Sequence, residues 1–176
     1  MESEQEKTLS ALQVAIQMEI DGKEFYLKAS RESGNDTGRK LLESLAAEED
    51  VHREVFQGIY NSIKSNQGWP DLSPHPAGGD SLTTVFARAM ESADKSVKAQ
   101  STELDAVKTG MKMENKTYDY YKVQGEAASG KVEKAFYEAL MAQERSHYQV
   151  LSDYYEYLSD PAGYFVREEH PTLDGG

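Results

Sequence analysis

The chain has 176 residues, of which 31 are acidic and 19 are basic, so its formal net charge is −12. This charge argues against a protein that binds nucleic acid or an anionic membrane, and the length predicts one domain. The absence of cysteine excludes disulfides, thiolate nucleophiles, iron–sulfur clusters and cysteine-ligated zinc. No stretch approaches the roughly 20 apolar residues that a membrane span needs, and the first six residues do not resemble a signal peptide, so we expect a cytoplasmic protein.

Long proline-free stretches rich in Ala, Leu, Glu, Lys and Gln predict a helical protein. Within them, apolar side chains recur at spacings of three and four residues, and no strand-like alternation appears. We predict four long helices over 4–33, 37–66, 102–128 and 131–158, and a shorter extra helix over 81–99.

The breaks between these helices predict how the chain is connected. Short breaks at 34–38 and 129–130 make each flanking pair of helices an antiparallel hairpin, whereas the break over 68–80 holds three of the five prolines. We therefore predict an all-α, ferritin-like antiparallel four-helix bundle, in which two helical hairpins are joined by a long crossover containing a short extra helix. Residues 1–160 form the bundle, and 161–176 form a C-terminal tail that packs on the bundle or on a dimer partner.

The two halves of the chain repeat. A shift of 95 residues places 11–60 on 106–155 without a gap, and eleven of the fifty pairs are identical. Several of these are apolar types that any two helices share. The chemically informative matches are Glu19 with Glu114, Glu49 with Glu144, and His52 with His147.

The repeated residues predict a metal site. Glu49 and His52 are three residues apart and share a helix face, as do Glu144 and His147. One mid-helix Glu and one Glu-x-x-His pair from each half form the ligand set of di-iron and di-manganese carboxylate bundles. Four buried, unpaired glutamates would repel one another, whereas two divalent cations would cancel their charge. The alternative is a metal-free bundle that exposes these side chains. The predicted ligands are Glu19, Glu49, His52, Glu114, Glu144 and His147.

The segments around these residues resemble the rubrerythrin-like branch of the ferritin-like superfamily. They are 15–26, 45–52, 111–121 and 142–147, within a resemblance that covers residues 8–158. The resemblance implies that Glu49 and Glu144 bridge two metal ions. It also implies that Glu19 with His52, and Glu114 with His147, are terminal ligands.

Two departures from the rubrerythrin pattern limit what the resemblance implies. Rubrerythrins carry a rubredoxin domain with a four-cysteine iron site, and this chain has no cysteine, so an unknown donor must supply its electrons. Thr117 occupies the place of the family's second Glu after the third-helix ligand, a Glu tied to peroxide reduction, so the expected site has six symmetric ligands. The tail from Pro161 is expected to be too short and too punctuated for the fifth helix of cage ferritins.

We therefore expect a non-haem dinuclear metal protein with two iron ions, for which manganese and zinc are alternatives. The expected activity is that of an oxidoreductase toward dioxygen or peroxide, or of a ferroxidase, in a homodimer. The competing function classes are a metal-binding, iron-buffering or sensor protein without turnover, and a purely structural bundle.

Six further residues carry expectations of their own. Tyr26 and Tyr121 lie two helical turns after Glu19 and Glu114, where they pack in the core, hydrogen-bond to the site or relay electrons. We expect Glu103 to be a solvated first-turn residue that the dipole at the helix N-terminus favours, and the alternative is a carboxylate that supports the ligands or lines an entry path. Glu48 is expected to be an ordinary surface residue or a salt-bridge residue. Two further histidines, His75 and His170, are expected to be solvated.

Overall fold

A computed structural model describes residues 3–72 and 82–169. Over these residues the chain is helical, and it contains no strand. The helices are α1 (Glu4–Glu32), α2 (Asp36–Lys64), α3 (Leu82–Glu91), α4 (Ser101–Ala127), α5 (Lys131–Ser159) and α6 (Pro161–Glu169).

The four long helices form the predicted bundle. Helix α1 packs along α2 and α4 packs along α5, and the short turn within each pair makes it an antiparallel hairpin. Helix α1 also contacts α4, while α3 packs on α2 and α5 within the crossover. The all-α, ferritin-like expectation is confirmed. None of the helices in the described residues is both long and apolar enough to cross a membrane.

Local sequence explains where the first two helices begin. Ser3 and Glu6 form a reciprocal capping box at the start of α1, which satisfies backbone N–H groups that have no partner inside the helix. Asn35 caps α2 by accepting a hydrogen bond from the Gly38 backbone N–H at 2.8 Å. The Asn35 cap places the turn of the first hairpin close to its predicted position.

The extra helix is shorter than the predicted 81–99, because α3 ends at Glu91. Beyond it, the Asp94 carboxylate accepts hydrogen bonds from the Ser96 backbone N–H and side-chain hydroxyl, a local pattern that competes with helix. The Asp94 carbonyl also accepts a hydrogen bond from the Tyr157 hydroxyl. These contacts hold the end of the crossover in a non-helical conformation against α5.

The tail begins with a helix, so the expectation that it is too punctuated for one is wrong. Pro161 stands at the first helical position, where its missing N–H costs nothing, and Asp160 accepts a hydrogen bond from the Gly163 N–H at 3.0 Å. Tyr164 and Phe165 pack edge-on against Tyr157 of α5. The end of the tail, 170–176, lies outside the described residues.

Two apolar clusters fill the bundle and leave a polar layer between them. Along α1, Ala15 belongs to one cluster and Tyr26 to the other, and Glu19 lies between them. In α4 the two clusters follow in the reverse order, and Glu114 lies between Val107 and Tyr121. The other two long helices contribute to the layer in the same way, so the fold brings the repeated Glu and His residues to one level.

Candidate metal centre

All six predicted ligands meet in the polar layer. Their side chains are between 0% and 4% exposed, which excludes the alternative in which they lie on solvated helix faces. Helix α1 supplies Glu19 and α4 supplies Glu114, while α2 and α5 each supply a Glu-x-x-His pair. Buried ionisable groups are rare unless they are paired or hold a metal, so the layer requires an explanation.

The two histidines turn the same ring nitrogen toward the carboxylates. His52 Nδ1 lies 3.4 Å from Glu19 Oε2 and 3.5 Å from Glu144 Oε1. His147 Nδ1 lies 3.1 Å from Glu49 Oε1 and 3.4 Å from Glu114 Oε2. Each imidazole therefore lies beside the terminal carboxylate that the family resemblance implies for it.

Two groups of side chains could each hold a metal ion, with ligand atoms that all lie within 4.8 Å of one another. One group is Glu19, Glu49 and His52, and the other is Glu49, Glu114, Glu144 and His147. Glu49 belongs to both groups, and Glu144 reaches toward both histidines, as bridging ligands would. We name the two positions the His52 subsite and the His147 subsite.

Several donor atoms in this layer lack any hydrogen-bond partner. Burying a polar atom without a partner costs free energy, and here the orphaned atoms converge from three helices, α1, α2 and α5. They are Glu19 Oε2, Glu49 Oε1, His52 Nδ1, both carboxylate oxygens of Glu144, and His147 Nδ1. Carboxylate oxygens and imidazole nitrogens suit divalent iron, manganese or zinc, so the donor set fits two cations.

Without a cation, the cluster must retain protons. Burial, with the charges of Glu19 and Glu114, raises the pKa of Glu49 to about 8. Burial and the same crowding raise the pKa of Glu144 well above its ordinary value. Burial would also raise the pKa of Glu114, but His147 outweighs it and holds that pKa below its ordinary value.

The histidines respond in the opposite sense. Burial would lower the pKa of His52, but Glu19 and the other carboxylates raise it to about 9. Burial would likewise lower the pKa of His147, but the charge of Glu114 outweighs burial and raises that pKa well above its ordinary value. In the absence of metal ions, protons on the two imidazoles and on some of the carboxylates thus offset the negative charge of the cluster.

The outward nitrogens of the two rings reach residues that the sequence did not mark as functional. His147 Nε2 lies 2.8 Å from Glu48 Oε2, and His52 Nε2 lies 2.6 Å from Gln143 Oε1. Of the two expectations for Glu48, the salt-bridge residue is the one that the structure shows, and its partner is a histidine across the bundle. The repeat contained a signal, since positions 48 and 143 are also related by the shift of 95.

Tyr26 and Tyr121 contact the site with their hydroxyls. The Tyr26 hydroxyl donates to Glu114 and the Tyr121 hydroxyl donates to Glu19, so each half of the chain supports the terminal carboxylate of the other. Burial and the neighbouring carboxylates raise the pKa of both phenols well above the ordinary value, which keeps their protons in place. Of the three expectations for these tyrosines, they fulfil both core packing and hydrogen bonding to the site.

Glu103 lies away from the polar layer, but it is not simply solvated as expected. Its carboxylate accepts hydrogen bonds from the Ser33 hydroxyl at 2.7 Å, the Tyr154 hydroxyl at 2.9 Å and the Asn35 amide at 3.1 Å. It therefore ties the first hairpin turn to the second hairpin.

Thr117 is a buried residue of α4, one turn after Glu114, and its hydroxyl donates to the Met113 carbonyl at 3.0 Å. Its counterpart in the repeat is Gly22, where an added Cβ would lie 2.6 Å from Glu49 Oε2. Neither position adds a seventh ligand to the groups above. His75 and His170 lie outside the described residues.

The comparisons with known proteins agree with this geometry. Neither a curated protein nor a solved structure matches the sequence. The family model described as Rubrerythrin matches residues 10–155, which include both hairpins and all six side chains of the polar layer. Because this match covers most of the chain, and because the matched residues place four carboxylates and two imidazoles in one buried layer, the chain belongs to the rubrerythrin family.

Proposed function

We propose that this protein is a non-haem di-iron oxidoreductase that reacts with peroxide or dioxygen, or that oxidises iron as a ferroxidase. The observation that supports it most directly is the set of orphaned donor atoms from Glu19, Glu49, His52, Glu144 and His147. Atoms that are buried, unpartnered and convergent are what a resident cation would satisfy.

Charge balance supports two ions rather than one. Four carboxylates carry four negative charges when ionised, and two neutral histidines add none, so two divalent cations neutralise the layer. One divalent cation would leave two buried negative charges, which the desolvation penalty disfavours. Oxygen and imidazole ligands without thiolate favour iron. Manganese and zinc are the alternative ions, and their binding must be compared with that of iron.

The ligand count supports reactivity. With two oxygens for each carboxylate and one nitrogen for each ring, the six side chains cannot fill all twelve positions of two octahedral ions. The remaining positions are available to a small molecule. Because all six side chains are at most 4% exposed, the molecule that reaches them must be small, as peroxide and dioxygen are.

Two bound iron ions would supply one electron each, so that one hydrogen peroxide and two protons yield two water molecules and two ferric ions. The chain's own residues would hold the ions and orient the ligands. Glu49 and Glu144 would link the two subsites, while Tyr26 and Tyr121 would keep Glu114 and Glu19 in place through hydrogen bonds. Burial of the layer would exclude bulk water from the reaction.

Anaerobic addition of Fe(II) to the metal-free protein, followed by peroxide or air, tests this proposal. We expect two Fe(II) per chain by calorimetry, and then rapid growth of near-ultraviolet ferric absorbance on adding the oxidant. A reductant should restore the ferrous state and permit further turnovers in an oxidoreductase. In a ferroxidase, added Fe(II) should instead be oxidised in excess of two per chain.

Matched variants sharpen the measurement. Glu49→Ala removes the residue shared by both subsites and should abolish binding of the second ion. Glu43→Ala, on an exposed face of the same helix, should bind two ions like the parent chain. Two ions bound without accelerated oxidation would favour the iron-buffering or sensor alternative, and absence of Fe(II) binding would contradict the proposal.

A further inference from the structure

The two halves of the polar layer match in every ligand, but their outer hydrogen-bond partners differ. The Nε2 atom of His147 faces the carboxylate of Glu48 at 2.8 Å. The Nε2 atom of His52 faces the amide oxygen of Gln143 at 2.6 Å. Because positions 48 and 143 are equivalent in the repeat, this is a substitution of acid by amide at one point of an otherwise symmetric site.

The contacts define the same tautomer for both rings once Nδ1 is bound to a cation. Nδ1 of each ring faces the inner carboxylates, so Nε2 carries the proton and donates it outward. Gln143 Oε1 and Glu48 Oε2 are both competent acceptors for that proton. The two outer partners therefore orient their rings equally well, and the difference between them is charge.

A carboxylate in this position acts on the metal through the ring. It raises the basicity of the coordinating imidazole, and it adds one negative charge near the cation that an amide does not add. Glu48 is about one-third exposed, so solvent screens part of this effect. Among the described residues, no lysine or arginine forms an ion pair with Glu48 that would cancel its charge.

From this asymmetry, and resting on the proposed function, we propose that the two metal subsites are inequivalent. The His147 subsite binds a divalent cation more tightly and fills first, and Glu48 is the positioning residue that produces the difference. Gln143 leaves the His52 subsite weaker and makes its ion the more easily exchanged of the two. The chain thereby encodes an order of loading in a site whose direct ligands are symmetric.

Co(II) titration of the metal-free protein tests this order, because Co(II) gives a visible spectrum and shifts nearby proton resonances. Calorimetry of the parent chain should show two binding steps whose dissociation constants differ on the order of tenfold, the lower range for loss of such outer partners. Glu48→Gln should weaken the first step toward the second. Gln143→Glu should strengthen the second step toward the first.

The exchange of both residues, Glu48→Gln with Gln143→Glu, is the decisive variant because it conserves composition and total charge. It should restore two separated steps in the reverse order. Proton NMR assigns them, since each bound ion shifts the exchangeable Nε2–H signal of its own histidine. The signal that appears first in the titration of the parent chain should change its chemical shift in Glu48→Gln and not in Gln143→Glu. In the exchanged chain the same signal should appear second.

The outcomes separate this inference from the proposed function. Failure of the parent chain to bind two Co(II) ions would overturn both. If two ions bind with equal affinity, or if Glu48→Gln weakens both steps equally, the inequivalence is overturned. The dinuclear site would stand in either case. Unchanged circular dichroism and melting temperature of the metal-free variants establish that any change in loading does not arise from unfolding.

Discussion

The imidazole rings of His52 and His147 stack with their centroids 5.6 Å apart and their planes 13° from parallel. Each ring directs Nδ1 to the buried carboxylates and Nε2 to a side chain on the opposite hairpin. The pair thus lies at the centre of the internal repeat. Since their neighbours raise both pKa values in the absence of a cation, two stacked rings would both carry charge, and metal binding relieves that repulsion.

The stability of the metal-free protein should fall as pH rises from 6 to 9. Glu49 has a folded-state pKa of about 8 against an ordinary 4.5, and His52 one of about 9 against 6.5. Both groups hold protons more tightly when folded, so their stabilising contribution is complete below the unfolded pKa and is lost as pH passes the folded pKa. Thermal melting at successive pH values should show a loss of several degrees.

Two variants of α2 test which group makes the melting temperature depend on pH. Glu49→Gln keeps the side chain neutral at every pH, so the melting temperature should fall less between pH 6 and 8. Glu43→Gln changes an exposed residue of the same helix and should reproduce the parent slope. A melting temperature that rises with pH in the metal-free parent would contradict the assignment of protons to the cluster.

Gly22→Ala should weaken metal binding with little effect on the fold. The added Cβ would lie 2.6 Å from Glu49 Oε2, so the carboxylate shared by both subsites must move. Displacement of a ligand by this amount should reduce metal affinity by roughly tenfold or more. Calorimetric titration with Fe(II) or Co(II) measures the loss.

Gly58→Ala is the matched control for that substitution. Gly58 lies in α2, and nothing approaches within 4 Å of an added Cβ. Alanine should stabilise the helix there by about 0.5–1 kcal/mol and leave metal affinity unchanged. Equal affinity in both alanine variants would show that Gly22 is not needed for the position of Glu49.

Much of the fold followed from sequence because its signals are local or repeated. Helix periodicity and the short breaks predicted the four long helices, and the 95-residue repeat identified the residues of the polar layer before any contact was known. The missed details depend on other elements. The end of α3 depends on contacts of Asp94, one of them with Tyr157. The formation of α6 depends on Asp160, which caps a helix that starts with proline.

The outer partners of the site were missed for a related reason. On its own helix, Glu48 points about 100° away from Glu49, which is the direction of a surface residue. Its role arises because His147 approaches from the opposite hairpin, a relation that no periodicity within one helix contains. Glu103 was misjudged similarly, since its three partners come from the first hairpin turn and from α5.

Removing the tyrosine hydroxyls should affect the subsites one at a time. Tyr26→Phe removes the donor to Glu114 and should weaken the His147 subsite, whereas Tyr121→Phe removes the donor to Glu19 and should weaken the His52 subsite. We expect a loss of about 1.5–3 kcal/mol in the affected binding step, the range for hydrogen bonds to charged groups. Two-step Co(II) titrations distinguish the variants.

Tyr120→Phe provides the control, because its hydroxyl donates to the Ala11 carbonyl at 2.8 Å and not to a ligand. It should lower the free energy of unfolding by about 1 kcal/mol and leave both binding steps as in the parent chain. If all three phenylalanine variants weakened metal binding alike, the tyrosines would act through general packing and not through their individual carboxylates.

Glu103→Ala should destabilise the protein without changing metal affinity. The substitution removes the acceptor shared by Ser33, Asn35 and Tyr154, so we expect a loss of about 2 kcal/mol and a melting temperature lower by roughly 4–8 °C. The residue lies eleven positions before Glu114 on α4, about 16 Å along the axis, beyond direct contact with the site. Asp105→Ala removes an exposed acid near the same helix end and should melt within a degree or two of the parent. A Glu103→Ala protein with parent stability would mean that the turn is held by Asn35 and Tyr154 alone, through the hydrogen bond between them.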